Sequence, residues 1–420
     1  MAGRRRVAPE PGADGPGIGA GRDVNAGQPA GTHPVVAPPT RFWTRGQPAA
    51  IAAIERMLDG GVPQVLLLIG PAAIGKTTLA LDLAAGLLCT AEDRVVRPCR
   101  ACRACRLVAG GTHQDLHRLV PEGPGRQVRI GDPSDPDPGT IRHLIREMAR
   151  LPVEGRHRVA VIEGAHRMNE DAQNALLKTL EEPPAGATLI LCADEPERLL
   201  PTVRSRAATL RLGPLGIRAI EGLLGEHGID PPRAARLARL AGGRPGLAMA
   251  YASAPRAVEA REEISRALLD LIPENRTRRL AIGRELLTRA ADLATMGMEP
   301  GAVGPRRVQR PPVADPTGGR EIETQSPGRA SPAERRLAAR ALLETWSAVA
   351  RDLAVVAAGG RNRAVDLALI DDLATAATGL TAGAPAAFLA RLARAAELLD
   401  ANANPELVVD VLVLAWPRAA

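Results

Sequence analysis

The stretch QVLLLIGPAAIGKTT, residues 64–78, constrains this chain more than any other. An apolar run that closes on glycine suits a buried parallel strand. Gly70 follows, then four residues, then Gly75-Lys76-Thr77-Thr78, and KTTLALDLAAGLL reads as a helix. Strand, glycine loop and helix in that order build a phosphate cradle, with backbone amides and a helix N-terminus facing the anion. Lys76 is expected to reach the β- and γ-phosphates and Thr77 to hold Mg²⁺, with Thr78 next in the cradle. Lys76 and Lys178 are the only lysines among 54 basic residues. Their escape from an arginine bias is telling, because a tethered ammonium does work that a guanidinium does badly. Ala73 stands where many such loops carry another glycine, and alanine is strained there if φ is positive.

Two more apolar runs, RVAVIEG and ATLILCADEP, read as strands, with the helix NEDAQNALLKTLEEPP between them stopped by prolines. The alternation predicts an α/β domain with a parallel sheet, helices on its faces, and ligands at the carboxyl ends of the strands. An amphipathic helix precedes it, with Ile51, Ile54, Met57 and Leu58 at helical spacing. In VIEGAH, residues 161–166, the second strand ends in one acid where a hydrolase of this layout carries two. Glu163 can hold a metal through water or merely end the strand. Gly164 cannot activate water, and base catalysis by His166 or Glu170 would need a placement that strand geometry disfavours.

Four of five cysteines lie close together: Cys89, Cys99, Cys102 and Cys105. No apolar run follows the basic start, so no signal peptide is expected, and no stretch reaches membrane-span length. In a reducing compartment, four thiols at this spacing point to structural zinc. Arg100, Arg103 and Arg106 interleave the ligands and are expected to offset the charge of a four-thiolate site. Cys192, in a strand, is expected to be core. A net charge of +7 permits nucleic-acid contact without demanding it. Scarce aromatics predict a core of Leu, Ala, Val and Ile.

Residues 1–40 and 297–333, rich in Gly and Pro without periodicity, are expected to be a disordered tail and a disordered insertion. Beyond Pro214 only helices are expected: a small three-helix unit over 214–253, then longer helices over 254–420.

NALLKTLEEPP (174–184), LLPTVRSRA (199–207), the phosphate loop and the four cysteines occur in order and at family spacing. With HQDL (113–116), GTIRHLI (139–145) and NANPELVVDVLVL (402–414), they resemble the AAA+ clamp-loader subunits of bacterial DNA polymerase III, which include the gamma/tau motor and the delta-prime subunit. The resemblance covers roughly 41–290 and 335–416. It implies an AAA+ domain over 41–213 with a zinc module near 89–105, a helical lid over 214–253 and an oligomerising collar over 254–420. It also implies ATP or ADP with Mg²⁺ at Gly70, Gly75, Lys76, Thr77, Thr78 and Glu163. The partners it implies are gamma/tau and delta subunits in a hetero-pentamer, the sliding clamp and primed DNA, in the cytoplasm at the nucleoid and with no membrane.

In that family the arginine of a Ser-Arg-Cys motif reaches a neighbour's ATP as a finger; here the motif is Ser205-Arg206-Ala207. The first sensor falls at Ala193 or Asp194. The second, an arginine in the motor, falls at Gly246, with Arg244 two residues off. Groups that would serve this chain's own ATP are therefore missing while the group that would serve a neighbour's is kept, the pattern of delta-prime. A gamma/tau-like motor and a zinc-dependent nucleic-acid-binding module are the alternatives. Lys178 is expected on a solvated helix face, paired with Glu181 or Glu182.

Overall fold

The structure, a computed structural model, describes residues 41–122, 127–297, 331–381 and 383–418. The expected tail, 1–40, and residues 298–330 of the expected insertion lie outside them. At the insertion's edges, residue 297 closes one helix and Pro332 opens the next, with a reciprocal Ser331–Glu334 capping box.

Five parallel strands form one sheet: β1 (Val65–Ile69), β2 (Leu116–Leu119), β3 (Arg158–Ile162), β4 (Ala187–Ala193) and β5 (Ala208–Arg211), in the order β2-β3-β4-β1-β5. The three apolar runs became β1, β3 and β4. β2 and β5 are additions to the sequence reading. Each is four residues long, with polar residues in it, and pairs because a fully buried neighbour offers its backbone edge.

Helices flank the sheet: α1 (Pro48–Gly60), α2 (Lys76–Leu88), α3 (Arg103–Ala109), α4 (Ile141–Met148), α5 (Glu170–Glu181) and α6 (Pro201–Arg204). Period-two alternation divides the strands between two cores. Leu66, Leu68, Val159, Val161, Ile190 and Cys192 meet α2 on one face, and Leu67, Ala160, Ile162, Leu189 and Leu191 meet α4 and α5 on the other. Cys192 is thus core, as expected. A buried leucine stabilises by about 1.5–3 kcal/mol, so strands apolar on both faces are driven to the middle of the sheet.

Beyond β5 come α7 (Ile217–Glu226), α8 (Pro231–Leu240) and α9 (Pro245–Ser253), which pack on one another as the expected three-helix unit. The collar follows as α10 (Pro255–Asp270), α11 (Arg276–Gly297), α12 (Pro332–Ala357), α13 (Ile370–Thr378), α14 (Ala384–Asp400) and α15 (Pro405–Ala415). Its core departs from the aliphatic expectation, because Trp346, Phe388 and Trp416 pack with ring centroids 4.7–5.5 Å apart. Each such ring pair adds about 0.5–1.5 kcal/mol beyond burial. Arg279 of α11 is fully buried and donates to the carbonyls of Ile272, Val413, Trp416 and Pro417. That closes the bundle between segments 134 or more residues apart.

Candidate functional site

The phosphate loop runs from the end of β1 into α2. Gly70 (φ +149°) and Gly75 (φ +104°) take backbone conformations that favour glycine, and a Cβ on Gly70 would lie 2.4 Å from the Leu212 carbonyl oxygen. Ala73 does hold a left-handed conformation, φ +59°, so the strain anticipated from the sequence is present. Lys76 is 6% exposed. Its three N–H donors go to the carbonyls of Gly70 (2.8 Å) and Pro71 (2.7 Å) and to Asp194 Oδ1 (2.6 Å).

Glu163, 5% exposed, directly follows β3. Its Oε2 accepts the Thr77 hydroxyl at 3.3 Å, so the acid and the hydroxyl that the sequence reading assigned to Mg²⁺ are together. A residue outside that reading is with them: Arg118 of β2 donates to Glu163 Oε1 from Nη2 at 2.6 Å and from Nε at 3.1 Å. In the β2–β3 register Arg118 lies opposite Val161, so Glu163 is its diagonal neighbour on the same face, within reach of a long side chain. With the carboxylate held on both oxygens by protein donors, these residues do not fit a divalent cation.

The positions serving hydrolysis are closed by geometry as well as by residue type. Gly164 has φ +58°, and a Cβ there would lie 3.0 Å from Pro121 Cγ and 3.2 Å from Arg167 Cδ. His166 is buried, accepts the Asp194 amide at Nδ1 (3.2 Å), and is pushed down to about 4 by burial, so it is neutral at pH 7. Glu170 is exposed in the first turn of α5. On the lid side the Gly246 amide donates to the Ala73 carbonyl at 2.9 Å. A Cβ on Gly246 would lie 2.9 Å from that oxygen and 3.2 Å from Ala73 Cβ, so a side chain there collides with the loop. Arg244 points elsewhere: it pairs with Glu344 of α12 at 3.7 Å.

Arg206 is exposed just beyond α6, at the rim of the domain. Its Nη1 donates to the Thr202 carbonyl (2.9 Å) and its Nη2 pairs with Glu181 (2.6 Å). The expected pairing of Lys178 is not found. Lys178 is exposed without an ion-pair partner among the described residues, and Glu181 is turned to Arg206 instead.

The four cysteines converge. Their sulfurs all lie within 4.8 Å of one another, with Cys89 and Cys102 at 3.9 Å. That spacing fits one tetrahedral ion with bonds of about 2.3 Å. Backbone amides of Cys99, Cys102 and Cys105 approach the sulfurs of Cys89, Cys99 and Cys102 at 3.4–3.5 Å. Burial works against the Cys102 thiolate, but hydrogen bonds from Thr90 and the Cys105 amide bring that thiol down to about 6. Burial pushes Cys89 and Cys105 up. Of the three interleaved arginines, Arg100 is attracted by Cys105 and Cys89, as expected, while each of the three also has a direct partner away from the sulfurs. Arg103 pairs with Glu154, and Arg106 donates to the Ala101 carbonyl. Arg100 lies over the Trp43 ring (3.8 Å to the centroid) and pairs with buried Asp82 of α2. Asp82 also accepts the amides of Trp43 and Thr44, so Arg100 fastens the cysteine loop to the domain.

Residues 46–216 match the model of the family described as DNA polymerase III, delta subunit. The chain is 39% identical over 140 residues to DNA polymerase III subunit delta' of Pseudomonas aeruginosa, covering 33% of this chain and 40% of that protein. It is 33% identical over 171 residues to subunit delta' of Bacillus subtilis, covering 41% and 48%. To subunit gamma/tau of Mycobacterium tuberculosis it is 34% identical over 164 residues, covering 38% and 26%. The chain thus spans about half or less of the length of these relatives. No helix among the described residues is long and apolar enough to cross a membrane.

Proposed function

We propose that this chain, a clamp-loader delta-prime-like protein, works in DNA replication as a non-hydrolysing member of a clamp-loader ring. In that role Arg206 enters the ATP site of a neighbouring gamma/tau motor subunit while a sliding clamp is placed on primed DNA. One contrast carries the reading: every charge that would serve the chain's own nucleotide is buried and internally paired, whereas Arg206 stands exposed on a single ion pair. A guanidinium aimed at a partner's γ-phosphate stabilises the charge that develops in transfer.

Within this reading residues 41–213 are the AAA+ domain, 214–253 the lid and 254–420 the collar. Gly70, Gly75, Lys76, Thr77 and Thr78 cradle the phosphates of a resident ATP or ADP that is kept rather than turned over. Cys89, Cys99, Cys102 and Cys105 hold a structural zinc with no open ligand position. The collar joins gamma/tau and delta in a hetero-pentamer, and the row Leu407 (63% exposed), Val411 (65%) and Leu414 on α15 supports that assembly, since such a row calls for a partner. The setting is the cytoplasm, at the nucleoid. A motor role is disfavoured because Gly164 and neutral His166 leave no base at the end of β3.

The test is Arg206→Ala in a complex rebuilt from purified subunits. Assembly by size exclusion is expected to be intact, and single-turnover hydrolysis at the neighbouring site to fall on the order of 10³-fold. An unchanged rate, or turnover of ATP by the isolated chain above background, overturns the proposal.

A further inference from the structure

We propose that the phosphate loop takes its nucleoside di- or triphosphate without a divalent cation, because the Arg118 guanidinium occupies the carboxylate that a cation would need. The inference rests on the reading that the loop holds nucleotide.

In metal-dependent loops of this kind the cation sits between the loop hydroxyl and the strand acid, and neutralises both that acid and the phosphates. A buried carboxylate must be compensated by something. Here Glu163 is compensated from within the fold: Arg118 contributes two N–H donors to Oε1, at 2.6 and 3.1 Å, and Thr77 one O–H donor to Oε2 at 3.3 Å. The hydroxyl and the carboxylate, the two groups available to a metal, are therefore engaged with each other and with a guanidinium. Arginine does not lose its proton in proteins, so the positive charge at this corner is permanent. A dication, even one held through water, would sit beside a carboxylate whose charge Arg118 already offsets, two like charges in a partly buried cleft.

The other exchange is easier. A polyphosphate entering the loop competes with Asp194 for Lys76, and Asp194 is 26% exposed, so water can take over its released carboxylate. The anion meets one ammonium on the loop and one guanidinium at the strand end, with the metal's charge already built into the chain.

The experiment is titration of the full chain with a fluorescent ADP analogue, in excess magnesium and in excess EDTA. Cooperating ligands change each other's affinity by about 5–150-fold, whereas wild type is expected to differ by less than about twofold between the two buffers. Arg118→Gln, which keeps a hydrogen-bonding amide but removes the charge, is expected to bind at least about fivefold better with magnesium. Arg118→Lys, which restores a cation, is expected to return to the wild-type pattern. Magnesium-dependent binding by wild type overturns the inference, and so does an Arg118→Gln variant as indifferent to magnesium as wild type. Absence of binding in both buffers overturns it differently, by removing the nucleotide reading beneath it while leaving the Arg206 proposal standing.

Discussion

The phosphate loop and the Arg206 corner are built in opposite ways. At the loop, Lys76, Asp194, Glu163 and Arg118 are paired two by two, and both cations are largely withdrawn from solvent. At the corner, Arg206 is exposed and Glu181, half-exposed, is its one ion-pair partner among the described residues. A charge that must act across a subunit boundary has to be cheap to release, and surface pairs are worth only about 0–1 kcal/mol. A charge that must stay put is better buried, because breaking a buried pair costs about 3–5 kcal/mol. The difference teaches that the charges at the loop are held in place by the fold, whereas the charge at the rim can be exchanged at little cost.

Three measurements sharpen or break that comparison beyond the loss expected from Arg206→Ala. The largest concerns His166, which belongs to the inward pole through Asp194. Its pKa is about 4 in the folded chain against an ordinary 6.5, so the unfolded chain binds more protons between those values. Stability is therefore complete above pH 6.5 and falls as pH drops towards 4, by on the order of 3 kcal/mol in total. Urea melts across that window measure it, and His166→Asn is expected to flatten the slope. A wild-type slope that survives the substitution assigns the acid sensitivity to other groups.

Next in size is Gly164→Glu. The left-handed φ of +58° costs about 1–2 kcal/mol for a residue with a Cβ. Because the added Cβ would also press on Pro121 and Arg167, the denaturation midpoint should fall. Phosphate release should stay at background, since position 246 is still glycine and Arg244 is still turned to Glu344. Hydrolysis by this variant would mean that one missing acid was the whole difference from a motor.

The smallest effect is expected for Glu181→Ala. Stability should change by less than about 1 kcal/mol, and the rebuilt complex should keep its hydrolysis rate within about twofold. A large drop in rate would show that Glu181 positions Arg206 rather than merely parking it.

Much of this was legible in the sequence. Continuous apolar runs gave away β1, β3 and β4, since a strand buried on both faces has no polar positions to spare. Spacing alone located the phosphate loop and the four thiols. β2 and β5 escaped because LHRL and ATLR carry little apolar signal, and their pairing depends on neighbours distant in sequence. Arg118 escaped for the same reason: its partner is 45 residues away, and only the strand register makes them diagonal neighbours. A charged residue two places after HQDL was the available hint. Arg100 was visible as a charge facing the thiols, and it does feel Cys105 and Cys89, but its direct partner Asp82 sits on a helix that spacing could not bring near.

Arg279 has a consequence in time rather than in space. Its guanidinium belongs to α11, yet three of its five carbonyl acceptors lie between residues 413 and 417, the other two being Ile272 and Glu274. A growing chain that has made α10 and α11 holds a guanidinium with only the Ile272 and Glu274 carbonyls of its five acceptors in place. The aromatic cluster and the Trp416 indole, which donates to the Leu268 carbonyl, arrive with the same late segment. A chain cut short of residue 413 therefore leaves a buried guanidinium without three of its five acceptors, and is expected to leave the packing of α10–α15 incomplete.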